Sequence, residues 1–133
     1  MTDARTADVA SDILPDAIQT VARQRPFRHV ARLEKIANVS TEEFVRVMVT
    51  NALSPMRVIE VFKDLVPSTG TIGVMSSGQG SVANNTNGKY EAYRSSKAAL
   101  NMLMRSVAAR HHDDPRTLLL MAPGWVRTAM GGA

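Results

Sequence analysis

Residues 70–78 of the chain read GTIGVMSSG. The apolar centre of this stretch has the length of a buried β-strand, and the stretch ends in two serines and a glycine. In an open α/β sheet, ligands bind at the carboxyl ends of the strands, where a short polar loop of this kind belongs. The stretch therefore predicts a strand that leads directly into a functional loop containing Ser76 and Ser77.

A second apolar run, residues 118–122, follows a helix predicted for residues 90–111. The order strand, loop, helix, strand, loop is typical of a parallel α/β sheet. The adjacent His112 and Asp113 indicate a solvated helix end rather than a metal site, because neighbouring helical residues point about 100° apart. We therefore expect no metal centre in this segment.

Tyr93 and Lys97 are four residues apart in this predicted helix, and side chains with that spacing project from the same face. A nearby ammonium group favours the phenolate form of tyrosine, so the pair is suited to exchange a proton with a substrate. Ser77 would then hold the substrate oxygen. Such a pair also arises by chance on exposed helices, so the order of the surrounding motifs decides between the two interpretations.

The composition narrows the class of protein. The chain has 133 residues, a formal net charge of +4 and no cysteine, which excludes disulfides and thiolate metal sites. Its basic residues are scattered and few aromatic residues accompany them, which argues against a nucleic-acid site. No apolar stretch approaches the ~18 residues of a membrane span, and the N-terminus lacks the apolar segment of a secretory signal. We therefore expect a cytoplasmic protein without nucleic-acid or membrane partners.

A long helix is predicted for residues 41–66, with the hydroxyl of Thr41 as its cap. Apolar residues cover nearly its whole circumference, which favours burial on several sides. Pro55 predicts a kink within it. Asn51 is a polar residue in apolar surroundings and needs hydrogen-bond partners; a bond to the backbone at this kink is one alternative, and a functional role is the other.

The segment before this helix differs in character. Apolar residues recur with a helical period in residues 11–25 and predict one amphipathic helix. The following basic stretch, residues 24–40, is interrupted by Pro26 and is typical of a linker. We therefore expect a divergent helical and linker segment in residues 1–40, and a separate region in residues 41–133.

Taken together, residues 41–133 resemble the short-chain dehydrogenase/reductase family, in particular its short, carbonyl-reductase-like members, whose final motif is similar to PGWVRT at residues 123–128. The resemblance implies NAD(P)-dependent oxidoreduction of a small carbonyl or alcohol. It assigns the catalytic roles to Ser77, Tyr93, Lys97 and Asn51, the last as an anchor for water that links Lys97 to solvent. It also implies a homo-oligomer paired through the two long helices.

The same resemblance implies which residues contact NAD or NADP. Tyr93 and Lys97 would bond the nicotinamide ribose, and Thr128 would approach the carboxamide. Asp8, beside an aliphatic residue, is similar to the family's adenine-contacting aspartate. The remaining cofactor-binding positions implied are in the loop after the second strand: Pro123, Gly124 and Val126.

The glycines of the chain set a limit on this resemblance. The dinucleotide-binding turn of the fold needs glycines, yet the first glycine here is Gly70. We therefore expect an α/β fold that is an incomplete Rossmann-like fragment of a doubly wound parallel sheet, with few strands and long helices. We favour a truncated protein with impaired ancestral chemistry. The alternatives are a reductase whose cofactor half comes from a partner chain, and a non-enzymatic interaction or oligomerisation module using its exposed apolar helix.

Overall fold

The computed structural model describes residues 35–124. Its first long element confirms the helix predicted for residues 41–66. The element consists of α1 (Thr41–Met48), a π-helical turn (Val49–Leu53), α2 (Ser54–Phe62) and a final 3-10 turn (Lys63–Leu65).

Two local features of this element differ from the prediction. The predicted cap is wrong by one residue, because the Ser40 hydroxyl, not that of Thr41, accepts the Glu43 amide at 3.1 Å. The effect expected of Pro55 takes the form of the π-helical turn directly ahead of it, where the Ser54 amide donates to the Val49 carbonyl five residues back. Since proline lacks an N–H and its ring crowds the preceding turn, a widened turn accommodates it.

The strands form the parallel pair that the sequence predicts. β1 (Thr71–Met75) and β2 (Thr117–Met121) pair from Thr71 opposite Thr117 to Met75 opposite Met121. The connection between them contains α3 (Glu91–Arg110), the helix predicted for residues 90–111. The described residues are thus an α/β arrangement with a two-stranded sheet and long helices.

The core lies between the helices and one face of this sheet. Leu100 of α3 is fully buried there, and Val74 is the buried residue of β1. The other members of the cluster come from the two long helical elements: Ala52, Met56, Ile59, Met104 and Val107. The predicted burial of the first helical element on several sides is not seen in this chain, since Val45 and Val61 each remain 52% exposed.

A cluster centred on Arg116 lies at the amino ends of the strands. The Arg116 guanidinium makes ion pairs with Asp114 at 2.7 Å and Asp64 at 3.2 Å. It also donates to the Lys63 and Val66 carbonyls, at the end of the first helical element. Hydrogen bonds from Arg116 lower the pKa of Asp114 to about 2, and the same contacts raise the pKa of Arg116. The cluster therefore ties the helix end to the start of β2, beside an open cleft of about 440 Å³.

Candidate active site

The loop after β1 lies at the carboxyl edge of the sheet, as the sequence predicts. Ser76 donates its backbone amide to the Met121 carbonyl at 2.8 Å, which extends the pairing with β2 by one residue. Ser77 follows with an extended backbone, and its Oγ accepts the Gln79 amide at 3.2 Å. Because the oxygen accepts that bond, the hydroxyl proton of Ser77 is left for another acceptor.

Tyr93 and Lys97 lie on one face of α3, in its first two turns. The Lys97 ammonium is 5.9 Å from the centre of the Tyr93 ring. It donates to the Met75 carbonyl, the last of β1, at 3.1 Å. Burial lowers the pKa of Lys97, since desolvation disfavours the charged form. The predicted side-by-side placement of the two residues is what the structure shows.

The structure does not join Ser77 to Tyr93 directly. Within residues 35–124, no hydrogen bond is made by the Tyr93 hydroxyl. Lys97 is close to both segments: its ammonium lies near the Tyr93 ring and donates to the carbonyl of Met75, two positions before Ser77. The hydroxyls of Ser77 and Tyr93 therefore both retain a proton to donate.

Asn51 is buried between the π-helical turn and α3. Its Nδ2 donates to Ser96 Oγ at 3.0 Å, and Ser96 Oγ donates to the Tyr93 carbonyl at 2.7 Å. The alternative in which Asn51 bonds to the backbone beside Pro55 is therefore not the arrangement found for its amide nitrogen. Asn51 instead supports the helix turn that begins with Tyr93, and its role as a water anchor stays a prediction.

One other polar side chain of this edge, that of Asn101, was missed by the sequence reasoning. The Ser76 hydroxyl donates to Asn101 Oδ1 at 2.5 Å, and Asn101 Nδ2 donates to the Gly80 carbonyl at 3.4 Å. The available signal was the spacing, because Asn101 is four residues after Lys97 and eight after Tyr93. Extending the helical period by one more turn identifies it.

The residues predicted to contact a cofactor beyond α3 are only partly described. Pro123 and Gly124 follow β2 and are exposed. Gly124 has φ of +77°, a conformation that favours glycine, so this turn is specified by its residue type. The structural positions of Val126, Thr128 and Asp8, and of the amphipathic helix predicted for residues 11–25, lie outside the described residues.

No group of three potential metal ligands occurs in the part of the chain that the structure describes, and the predicted solvated end of α3 contains the exposed pair His112 and Asp113. In the same residues, no helix combines the length and apolar character required to cross a membrane.

Comparison with known proteins defines the class of protein to which this site belongs. A family model described as enoyl-(acyl carrier protein) reductase, of the short-chain alcohol dehydrogenase type, matches residues 14–133. The chain therefore belongs to the short-chain dehydrogenase/reductase family.

Individual relatives agree with this assignment. The C-signal protein of Myxococcus xanthus is 36% identical over 102 residues, which cover 73% of this chain and 60% of the relative. A short-chain dehydrogenase/reductase from Burkholderia multivorans, solved with bound NADP, is 60% identical with a TM-score of 0.72, over 75% of this chain and 43% of the other. A carbonyl reductase from Pseudomonas aeruginosa PAO1 in complex with NADP is 33% identical with a TM-score of 0.68, over 75% and 46%. The matched region thus spans about half the length of these relatives.

Proposed function

We propose that residues 41–133 are the catalytic half of an NADP-dependent oxidoreductase that interconverts a small carbonyl and its alcohol. The position of Lys97 supports this most strongly, because its ammonium group lies beside the Tyr93 ring and on the carboxyl end of β1. Parallel α/β sheets bind their ligands at this edge. The carbonyl reductase of P. aeruginosa, solved with NADP, supports the substrate class and the choice of NADP over NAD.

In the proposed reaction, Tyr93 donates a proton from its hydroxyl to the substrate oxygen. Lys97 stabilises the phenolate that results, because a cation close to the ring favours the charged form. A positioned acid of this kind accelerates a reaction by about 10²–10⁴-fold. The Tyr93 hydroxyl makes no hydrogen bond within residues 35–124, which leaves it available for this transfer.

Ser77 supplies a second donor to the same substrate oxygen. Its Oγ already accepts the Gln79 amide, so the orientation of the hydroxyl is restricted while its proton stays available. A donor fixed before the reaction stabilises the charge that develops on oxygen, without reorganisation during the step. Asn51 acts through the helix, by supporting Ser96 and the Tyr93 backbone.

The residues of this edge suit the nicotinamide end of NADP. Lys97 has three N–H donors and uses one on Met75, so two are left for the hydroxyls of a ribose. Tyr93 lies beside it, and the turn at Pro123 and Gly124 lies at the end of the neighbouring strand. When bound, the nicotinamide supplies the hydride. By family resemblance, Val126, Thr128 and Asp8 complete the cofactor contacts.

We further propose that this 133-residue chain catalyses the reaction weakly by itself. A pyrophosphate is bound in this fold by a glycine-rich turn, and residues 1–69 contain no glycine. Contacts at the nicotinamide end alone give low affinity. We therefore expect the lack of a glycine-rich turn to weaken cofactor binding first.

The test combines cofactor binding with turnover. NADPH is titrated to millimolar concentration against the full chain while its fluorescence and the thermal midpoint are recorded, and carbonyl-dependent NADPH oxidation is then measured. We expect weak binding and slow turnover that Tyr93→Phe abolishes. The absence of both binding and turnover contradicts the proposed activity, and equal turnover in Tyr93→Phe contradicts the assigned acid.

We also propose self-association through the outward surfaces of the two long helical elements. Val61 of α2 is 52% exposed and Met102 of α3 is 67% exposed, and exposed apolar side chains clustered on a surface favour association. Light scattering of the wild type should give an oligomer that Val61→Lys dissociates. Val82→Lys is the matched control, because Val82 is exposed in the loop between β1 and α3 and belongs to neither helical element. A monodisperse wild-type monomer contradicts this proposal.

A further inference from the structure

Asn101 contacts both ends of the loop that contains Ser77. Its Oδ1 accepts the Ser76 hydroxyl at 2.5 Å, and its Nδ2 donates to the Gly80 carbonyl at 3.4 Å. One amide side chain therefore bonds the residue before Ser77 and the residue three positions after it. Ser77 lies within the segment that these two bonds enclose.

The loop also approaches α3 closely at Gly80. A Cβ atom at this position would lie 2.8 Å from Asn101 Nδ2 and 2.9 Å from the carbonyl carbon of Lys97. Both separations are shorter than real Cβ contacts, so the backbone here is in direct contact with the helix. On the other side of Ser77, the Met75 carbonyl accepts the Lys97 ammonium.

The helical period places Asn101 on the same face of α3 as the proposed catalytic residues. Tyr93, Lys97 and Asn101 follow one another at intervals of four residues and project from the same face of α3. The face that bears the proposed acid and its cation therefore also bears the side chain that holds the serine loop. Displacement of reacting groups by about 1 Å can cost on the order of 10²-fold in rate.

We infer that Asn101 is a positioning residue, which sets the distance of Ser77 from Tyr93 and Lys97 by bonding the loop at Ser76 and Gly80. This inference rests on the proposed function for its consequence in catalysis. Its structural content is independent of turnover, because the order of residues 76–81 can be measured directly.

Three variants of the full chain test it. Asn101→Leu removes both bonds while keeping a side chain of similar size, and Ser76→Ala removes one of them. Ser106→Ala is the control, since it deletes a hydroxyl bond to the Met102 carbonyl on the same helix, away from the loop. Hydrogen exchange is followed at the Gly80 and Ser81 amides, which donate to the Ser77 and Gly78 carbonyls.

We expect Ser76→Ala, which removes one bond, to raise exchange at the Gly80 and Ser81 amides by about fivefold, and Asn101→Leu, which removes two, to raise it by at least about tenfold. Ser106→Ala should leave it unchanged. Unchanged exchange in Asn101→Leu overturns the inference. An increase shared equally by the amides of α3 also overturns it, because that result marks a general loss of packing.

Steady-state kinetics with NADPH and a carbonyl substrate provide the second readout. Asn101→Leu should lower kcat by roughly 10- to 100-fold and change KM by less than about twofold, as expected when groups are misplaced in the transition state. An unchanged kcat despite increased loop exchange overturns the inference. If the wild type shows no turnover, the proposed function fails and the exchange measurement alone decides whether Asn101 holds the loop.

Discussion

The two ends of the strand pair use their polar groups in opposite ways. At the amino ends, Arg116 bonds two carboxylates and two backbone carbonyls at once. At the carboxyl ends, Lys97 bonds a single carbonyl, and Ser77 accepts one amide. One cation is saturated with partners and the other retains donors.

This difference separates a structural cluster from a candidate site. A cation whose N–H donors are all bonded to fixed acceptors has none left for a ligand. Its contacts instead hold chain segments together. A half-buried cation with free donors is costly to maintain and suits a ligand with several oxygens. Both ends contain a lysine or arginine beside small polar residues, so composition alone does not distinguish them.

The largest expected effect comes from removing a spare donor at the carboxyl end. Ser77→Ala should lower the rate of carbonyl reduction at millimolar NADPH by about 10²-fold, as loss of one donor to a developing oxyanion does elsewhere. Ser68→Ala, in the cleft at the amino end, is the matched control and should leave the rate unchanged. Equal rates in the two variants would remove the functional distinction between the ends.

Close packing of the serine loop gives the next effect. Gly80→Ala should lower the free energy of unfolding by about 1–3 kcal/mol, because its Cβ would overlap Asn101 and Lys97. Gly78→Ala is the control, since a Cβ there meets no atom within 4 Å. Chemical denaturation of both variants measures the difference, and equal stabilities would show that the loop is looser than described.

At the amino end, the expected loss is of stability alone. Arg116→Met leaves the Lys63 and Val66 carbonyls without their guanidinium donor, and we expect a Tm lower by several degrees. Any carbonyl reduction measured below this Tm should match the wild type. A catalytic defect at full folding would contradict the assignment of Arg116 to a structural role.

The smallest effect is a pH dependence confined to the amino end. Arg116 lowers the pKa of Asp114 to about 2, below the ordinary value near 3.8. A depressed carboxyl pKa stabilises the fold above the unfolded value, so the contribution should be lost as the pH falls from about 4 to about 2. Calorimetric Tm values over this range should fall more steeply in the wild type than in Arg116→Met. Parallel curves would show that the pair contributes nothing.

Much of the fold and part of the site could be predicted from the sequence. The apolar runs and their order gave both strands, the helices and the i, i+4 pair of Tyr93 and Lys97, because these depend on local periodicity. The contact of Asn101 with Gly80 could not be read this way, since it depends on how closely a loop approaches a helix.

The amino-end cluster was missed for a similar reason. Arg116 was one basic residue among 16, and nothing in its local pattern showed that it would reach carbonyls about fifty positions earlier. The Ser40 cap was also missed, although it lies next to the predicted one. The capping hydroxyl must precede the first helical residue, and Ser and Thr in succession satisfy the pattern equally well.

At the π-helical turn Val49–Leu53, the helical pattern of buried positions shifts by one residue. Val47 and Asn51 follow one helical phase, whereas Ala52 and Met56 follow a second phase that is advanced by a single residue. The wider π-helical turn takes up this shift, because it accommodates one extra residue. If the same residues formed a regular α-helix, one half would be rotated by about 100° relative to the other. Either Asn51 would then leave Ser96, or the apolar residues of α2 would leave the core. The wide turn thus lets one continuous element make a polar contact near Tyr93 and also line the apolar core.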